Sequence, residues 1–128
     1  MNSRSKRAIR ALAAPLKKAF RAWLVDSGAS EHICSPDRIE GSIESTSAVV
    51  ETANGRINPG GKGTVHVDLL RDKVVAIMLK GSPDLLSLGK LVEAGFKFRW
   101  TELDECILTT PEGSELRLEI VNRVPTIP

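Results

Sequence analysis

The sequence predicts a small, mostly β domain that begins near residue 22, and three observations point that way. From Trp23 onward short apolar runs are punctuated by Gly, Pro, Asn and Ser. Val65, Val67 and Leu69 alternate with polar neighbours at the period of two that a half-buried strand requires. Asn54-Gly55 is a pair that tolerates the positive φ angles of a tight hairpin turn. With 128 residues, 41% of them hydrophobic, the chain has room for one compact domain and a modest core.

Taken in order, residues 8–22 alternate apolar and basic side chains at roughly helical spacing, and Pro15 breaks or restarts the pattern, so one or two frayed helical turns are expected. Residues 23–25 form a short apolar strand. A strand over 48–52 turns at Asn54-Gly55 and returns from Arg56-Ile57. Pro59-Gly60-Gly61 interrupts the chain before the alternating strand 64–69. The continuous apolar run 74–79 reads as a strand buried on both faces. After Gly81-Ser82-Pro83, residues 84–95 should hold a short helix that stops at Gly95. Three further strands are expected over 96–100, 106–109 and 116–121, the last two joined by a turn at Pro111-Glu112-Gly113. The domain plan is a basic leader (1–21), a main domain (22–95) and a β-rich extension (96–128).

The net charge of +2 hides an uneven distribution. Residues 1–21 carry seven bases and no acid, which leaves eleven bases against sixteen acids in the body. Such a leader is either a solvated linker or a weak contact for nucleic acid, since phosphate neutralisation releases counterions whatever the base sequence. No apolar stretch is long enough to span a bilayer and no signal-peptide core follows Met1, so a soluble chain, intracellular and not membrane-bound, is expected. Cys34 and Cys106 lie far apart without metal-type spacing and read as two ordinary thiols.

The chemistry concentrates at Asp26. An Asp followed by Ser and Gly at the end of an apolar strand places a carboxylate at the floor of a cleft. The strand fixes it, Ser27 can hydrogen-bond to a neighbouring loop, and Gly28 lets backbone amides approach closely. The tripeptide alone is also a common turn or cap sequence. Peptide hydrolysis by carboxylates needs one as base to activate water and a second, protonated, as acid. Two carboxyl groups a few ångströms apart share a proton and titrate as a coupled unit. The chain holds no second Asp-Ser/Thr-Gly, so the second carboxylate would have to come from another copy at a two-fold axis.

The run Trp23-Leu24-Val25-Asp26-Ser27-Gly28-Ala29-Ser30-Glu31-His32-Ile33 resembles the Asp-Ser-Gly-Ala-Ser/Thr-x-His-Ile signature of the retropepsin family, most closely the proteases of Copia-type retrotransposons. Thr52-Ala53-Asn54-Gly55, the glycines between Gly60 and Gly63, and Pro83-Asp84-Leu85-Leu86-Ser87-Leu88-Gly89-Lys90-Leu91 extend the likeness in the order and spacing of a retropepsin monomer, from residue 23 to about residue 95. The resemblance implies a retropepsin-like closed β-barrel, the acid protease fold, with one short helix and a homodimeric active site. It implies an aspartic endopeptidase that processes a Gag-Pol polyprotein with an Asp-activated water and no cofactor or metal, in the cytoplasm or in a retrotransposon particle. Asp26 takes the place of the catalytic aspartate, Ser27 of the hydroxyl residue that cross-links the two active-site loops, and Gly28 of the residue whose carbonyl faces substrate. Ala29, Ser30 and Glu31 fall where the family lines its substrate pockets. Ala53, Asn54 and Gly55 fall at the flap tip, although the glycines displaced to 60, 61 and 63 put the tip as much as a few residues later. Pro83 and Leu85 belong to the substrate-facing wall, and Ser87 replaces an apolar residue that often faces the cleft. Lys90 matches a base that steadies viral dimers, but its usual acidic partner position is Ser30 here.

Other chemistry fits less well. Ser30 and His32 are two apart with no orienting acid or nucleophile elbow, so His32 reads as a loop-packing residue. His66 sits on the face opposite Val65 and Val67 and should meet solvent. Zinc held by His32, Cys34 and Cys106 lacks a fourth ligand, and Glu102-Leu103-Asp104-Glu105 lacks a calcium loop's glycine. Trp23 and Trp100 border apolar strands and suit a core or an interface. Two rivals stay open: a catalytically inactive retropepsin fold serving as a dimerisation or peptide-binding module, from a domesticated or decayed element, and a nucleic-acid-associated fragment acting through the leader.

Overall fold

The structure is a computed structural model, and it describes residues 22–47, 50–52, 55–57 and 59–128. The leader with its expected helical turns, and residues 48, 49, 53, 54 and 58, lie outside the described residues. In chain order the elements are β1 (Trp23–Asp26), β2 (Ile33–Cys34), a 3-10 turn (Pro36–Arg38), β3 (Glu40–Glu44), β4 (Val50–Thr52), β5 (Gly55–Ile57) and β6 (Gly61–Val67). A second 3-10 turn (Asp68–Leu70) leads to β7 (Asp72–Met78), β8 (Leu85–Ser87) and the helix α1 (Leu88–Glu93). The chain closes with β9 (Lys97–Glu102), β10 (Glu105–Thr109), β11 (Glu115–Arg117), β12 (Glu119–Val121) and β13 (Val124–Ile127). The mostly β expectation, with one short helix after Pro83, matches what is seen.

Eight strands form one sheet in the order β12-β13-β1-β8-β2-β7-β6-β3. β11-β10-β9 form a second sheet, and β4-β5 a hairpin of their own. The large sheet runs open from β12 to β3, so the closed barrel expected from the sequence does not form. Each edge has a reason. β3 is exposed along its whole length and its ladder to β6 is irregular between Glu40 and Glu44, while β12 is only three residues long. β8 lies between β1, to which it runs parallel, and β2, to which it runs antiparallel. That arrangement sets the loop after Asp26: the segment joining β1 to β2 must pass over the end of β8.

Alternation places the core. Trp23 and Val25 point inward from β1, Val65 and Val67 from β6, and Cys106 and Leu108 from β10, where they meet Leu86, Leu91, Leu118 and Ile127. Burial of one such Leu or Val side chain is worth about 1.5–3 kcal/mol. The alternation of 64–69 ends early, because the chain leaves the strand at Val67. The 3-10 turn then buries Leu70 and leaves Leu69 half-buried. The run 74–79 is not buried on both faces. β2 flanks β7 only at Ile77 and Met78, so Ala76 and Ile77 are buried while Val75 is 56% exposed on the ribbon that β7 makes with β6.

The expected strand 116–121 is two strands in two sheets. Leu118 separates them: its side chain is buried, and its amide donates to the Cys106 carbonyl at 2.8 Å, so the chain crosses there from the small sheet to the large one. β13 was not foreseen. It pairs with β12 through a two-residue turn, Asn122-Arg123, with φ of 52° and 66°, and it pairs antiparallel with β1 (Trp23 opposite Ile127, Leu24 opposite Thr126). Of the segment 96–128, expected as an extension, β12 and β13 therefore join the sheet of residues 22–95, and side chains from both segments share one core. Among the described residues no helix is long and apolar enough to cross a membrane.

Candidate active site

Asp26 ends β1, half-buried, where Val25 has just turned into the core and the next two residues reverse the chain. Its Oδ1 accepts the Gly28 amide at 2.7 Å. A side chain at residue 28 is unwelcome, because a Cβ there would stand 3.3 Å from that same oxygen. Ser27, Gly28 and Ser30 are exposed, with Ala29 and Glu31 half-buried between them. The loop thus presents a held carboxylate and three small exposed residues to whatever approaches the end of the sheet.

β8 supplies the support. Asp26 stands opposite Ser87 in the parallel ladder. Ser87 was placed on the cleft side by sequence, yet it is fully buried. Its hydroxyl donates to the Ala29 carbonyl at 2.7 Å and accepts the Lys90 amide at 3.1 Å, so one side chain caps α1 and pins the Asp26 loop. Ser87 therefore shapes the loop from behind instead of lining a surface. Its own amide donates to Nδ1 of His32 at 3.0 Å. His32 is buried as the loop-packing reading expected, and burial, reinforced by Lys90, lowers its pKa from 6.5 against an opposing pull from Glu31. Lys90 Nζ lies 3.3 Å from Glu31 Oε1. Glu31, one residue past Ser30, is thus the acid that faces Lys90.

A second anchor, missed by sequence, lies at the far end of β8. Asp84 is buried, accepts Arg38 Nε at 2.9 Å and the Ser35 amide at 3.2 Å, and passes its carbonyl to the Leu24 amide at 2.9 Å. The Arg38 guanidinium in turn stacks 4.9 Å from the ring centroid of Trp23. One buried residue so ties together β1, through its backbone carbonyl, and the segment after β2, through its carboxylate. An acidic residue directly after Pro83 is the available signal, but from sequence it reads only as the start of the segment 84–95 that holds the short helix.

Of the remaining expected site residues, Pro83 is exposed and Leu85 half-buried, the latter between Leu24 and Ile33 at the start of β8. They sit at the opposite end of that short strand from Ser87. Ala53 and Asn54 lie outside the described residues. Gly55 begins β5 opposite Thr52. The hairpin pairs only with itself among the described strands. His66 is exposed beside Asp68, Nε2 to Oδ1 3.3 Å. Cys34 and Cys106 are buried and not joined in a disulfide, and burial pushes the Cys106 thiol up. No group of three His, Cys, Asp or Glu side chains that could hold a metal occurs among the described residues. A shallow groove of about 390 Å³ on β3, β6 and β7, lined by Glu40, Glu44, Lys62 and Lys73, contains none of the expected site residues. Neither the family models nor the curated proteins contain a match to this chain.

Proposed function

We propose that the protein is a retropepsin-type aspartic endopeptidase, active as a homodimer, that processes a retrotransposon Gag-Pol polyprotein. The observation that carries the reading is the placement of Asp26: a half-buried carboxylate at a strand end, one oxygen held by the Gly28 amide, on an exposed Ser-Gly loop backed by the buried Ser87. The sequence signature around it and the single Asp-Ser-Gly triplet supply the rest.

In this reading two copies meet loop to loop. One Asp26 carboxylate takes a proton from water as the oxygen attacks the scissile carbonyl carbon, while the other, protonated, gives its proton to the carbonyl oxygen. The tetrahedral species collapses when the amide nitrogen receives a proton and its bond to carbon breaks. Ala29 and Glu31 line the subsites beside the loop, and the β4–β5 hairpin closes over the peptide, excluding bulk water and strengthening the electrostatics of the pair.

The test incubates the protein with its own extended precursor at mildly acidic and neutral pH, beside Asp26→Asn. The variant is expected to lose at least about 10²–10⁴-fold in rate, and the wild type to be inhibited by pepstatin. Equal processing by both proteins overturns the assignment, and a stable inactive dimer of the unaltered chain selects the peptide-binding or dimerisation rival.

A further inference from the structure

The loop from Ser27 to His32 returns to the corner between β8 and α1 through three contacts. The Ala29 carbonyl receives the Ser87 hydroxyl, the Glu31 carboxylate faces Lys90 Nζ, and Nδ1 of His32 receives the Ser87 amide. Glu31 and Lys90 are both partly open to solvent, so their pair is screened. The His32 contact is different. Its ring is 6% exposed, the bond is 3.0 Å long and buried, and its donor is the backbone of the residue opposite Asp26 in the ladder. The His32 carbonyl is also engaged, accepting the Ile77 amide of β7 at 2.8 Å. One residue thus joins the end of the active loop to the strands on both its sides.

A backbone amide can be received only by an imidazole nitrogen that bears no proton, which fixes the ring as the neutral tautomer with hydrogen on Nε2. We propose that His32 is a positioning residue: its bare Nδ1 fastens the returning end of the Asp26 loop to β8 through the Ser87 amide, and a proton added to that nitrogen releases the loop.

Protonation sets N–H against N–H in a buried space and leaves the Ser87 amide without an acceptor. The surroundings oppose it. Burial and Lys90, reaching in from α1, disfavour the cation, while Glu31 on the loop itself is the one charge that favours it. β8 offers no free counter-charge, because Asp84 is committed to Arg38 and the Ser35 amide. β7 presents its Ile77 amide to the histidine backbone. The claim about the bond stands on geometry alone; its consequence for proteolysis rests on Asp26 being the catalytic group.

The experiment has two arms on the full chain. Nitrogen-15 NMR of the imidazole follows both ring nitrogens from neutral to acidic pH, and precursor cleavage is profiled over the same range for wild type, His32→Asn and His32→Leu. Wild-type Nδ1 should be unprotonated at neutral pH. His32→Asn, which can offer an oxygen that does not titrate, should keep neutral-pH cleavage and carry it to lower pH than wild type. His32→Leu should lose about tenfold or more at neutral pH, where wild type holds the bond. A protonated Nδ1 at neutral pH, or an acid limb unmoved in His32→Asn, overturns the proposal. Cleavage undiminished in Asp26→Asn overturns the catalytic reading instead, and leaves the NMR arm to decide the bond.

Discussion

A methyl group at residue 28 would press on Oδ1 of Asp26 from 3.3 Å, against an oxygen that the Gly28 amide already holds at 2.7 Å. Because the loop is exposed, Gly28→Ala should leave the fold intact, with an unchanged urea midpoint, and lower kcat in precursor cleavage. Ser87 behaves oppositely. Removing its hydroxyl orphans the Ala29 carbonyl and uncaps α1, so Ser87→Ala should cost about 1–3 kcal/mol in urea unfolding. His32 adds a pH dependence whose sign is fixed by its lowered pKa. The unfolded chain takes up the histidine proton near its ordinary value of 6.5 while the folded chain resists it. This contribution to stability is therefore complete above 6.5 and is lost progressively as pH falls from there toward the lowered folded value. Urea midpoints measured across that window should fall with pH for wild type and fall less for His32→Asn.

At the scale of elements, β6 can begin where it does only because Gly61 has φ of 137° and brings its backbone against β3; a Cβ there would lie 2.7 Å from the Glu44 carbonyl oxygen. Gly61→Val should destabilise by at least about 1–3 kcal/mol from backbone strain alone, read as a lower midpoint. What the sequence disclosed about such elements follows its local physics. Period-two patterning revealed the buried Val65 and Val67, and Pro111-Glu112-Gly113 revealed the turn between β10 and β11, because both signals reside within a few residues. The positions that failed depend on distant partners. Val75 lies in a continuous apolar run, but β2 reaches only Ile77 and Met78, and no local pattern encodes how far a partner strand extends. Leu118 carries strand-like neighbours on both sides, and the switch between sheets there is made by the Cys106 carbonyl. β13 was hidden by Pro125, a residue that lacks the amide a strand ladder uses. At the site, Asp26 and the loop were legible as a motif. The engagement of Ser87, His32 and Asp84 was not, since each draws its partner from a residue about fifty positions away.

For the molecule as a whole, β12 and β13 occupy the side of β1 away from β8, so in the proposed dimer a second copy cannot pair beside β1. β1 runs antiparallel to β13 with Trp23 opposite Ile127, so the Asp26 end of β1 lies toward Val124, which brings the Asn122-Arg123 turn to the same end as the Asp26 loop. If the dyad forms there, specific activity should fall on dilution more steeply than protein concentration, with the midpoint matching the dimer dissociation seen by sedimentation. Strict proportionality among sedimenting monomers would contradict a shared site. The flank that β13 provides also sets a clock. Its partner β1 is made about a hundred residues earlier, so at ribosomal speeds roughly 5–20 s separate the two strands' synthesis. During that interval the strand bearing Asp26 has one neighbour missing, and pairings of such long separation are slow to close. A nascent chain would thus carry its carboxylate on an unfinished sheet, and the earliest cleavage of a growing polyprotein would wait for translation to pass residue 127.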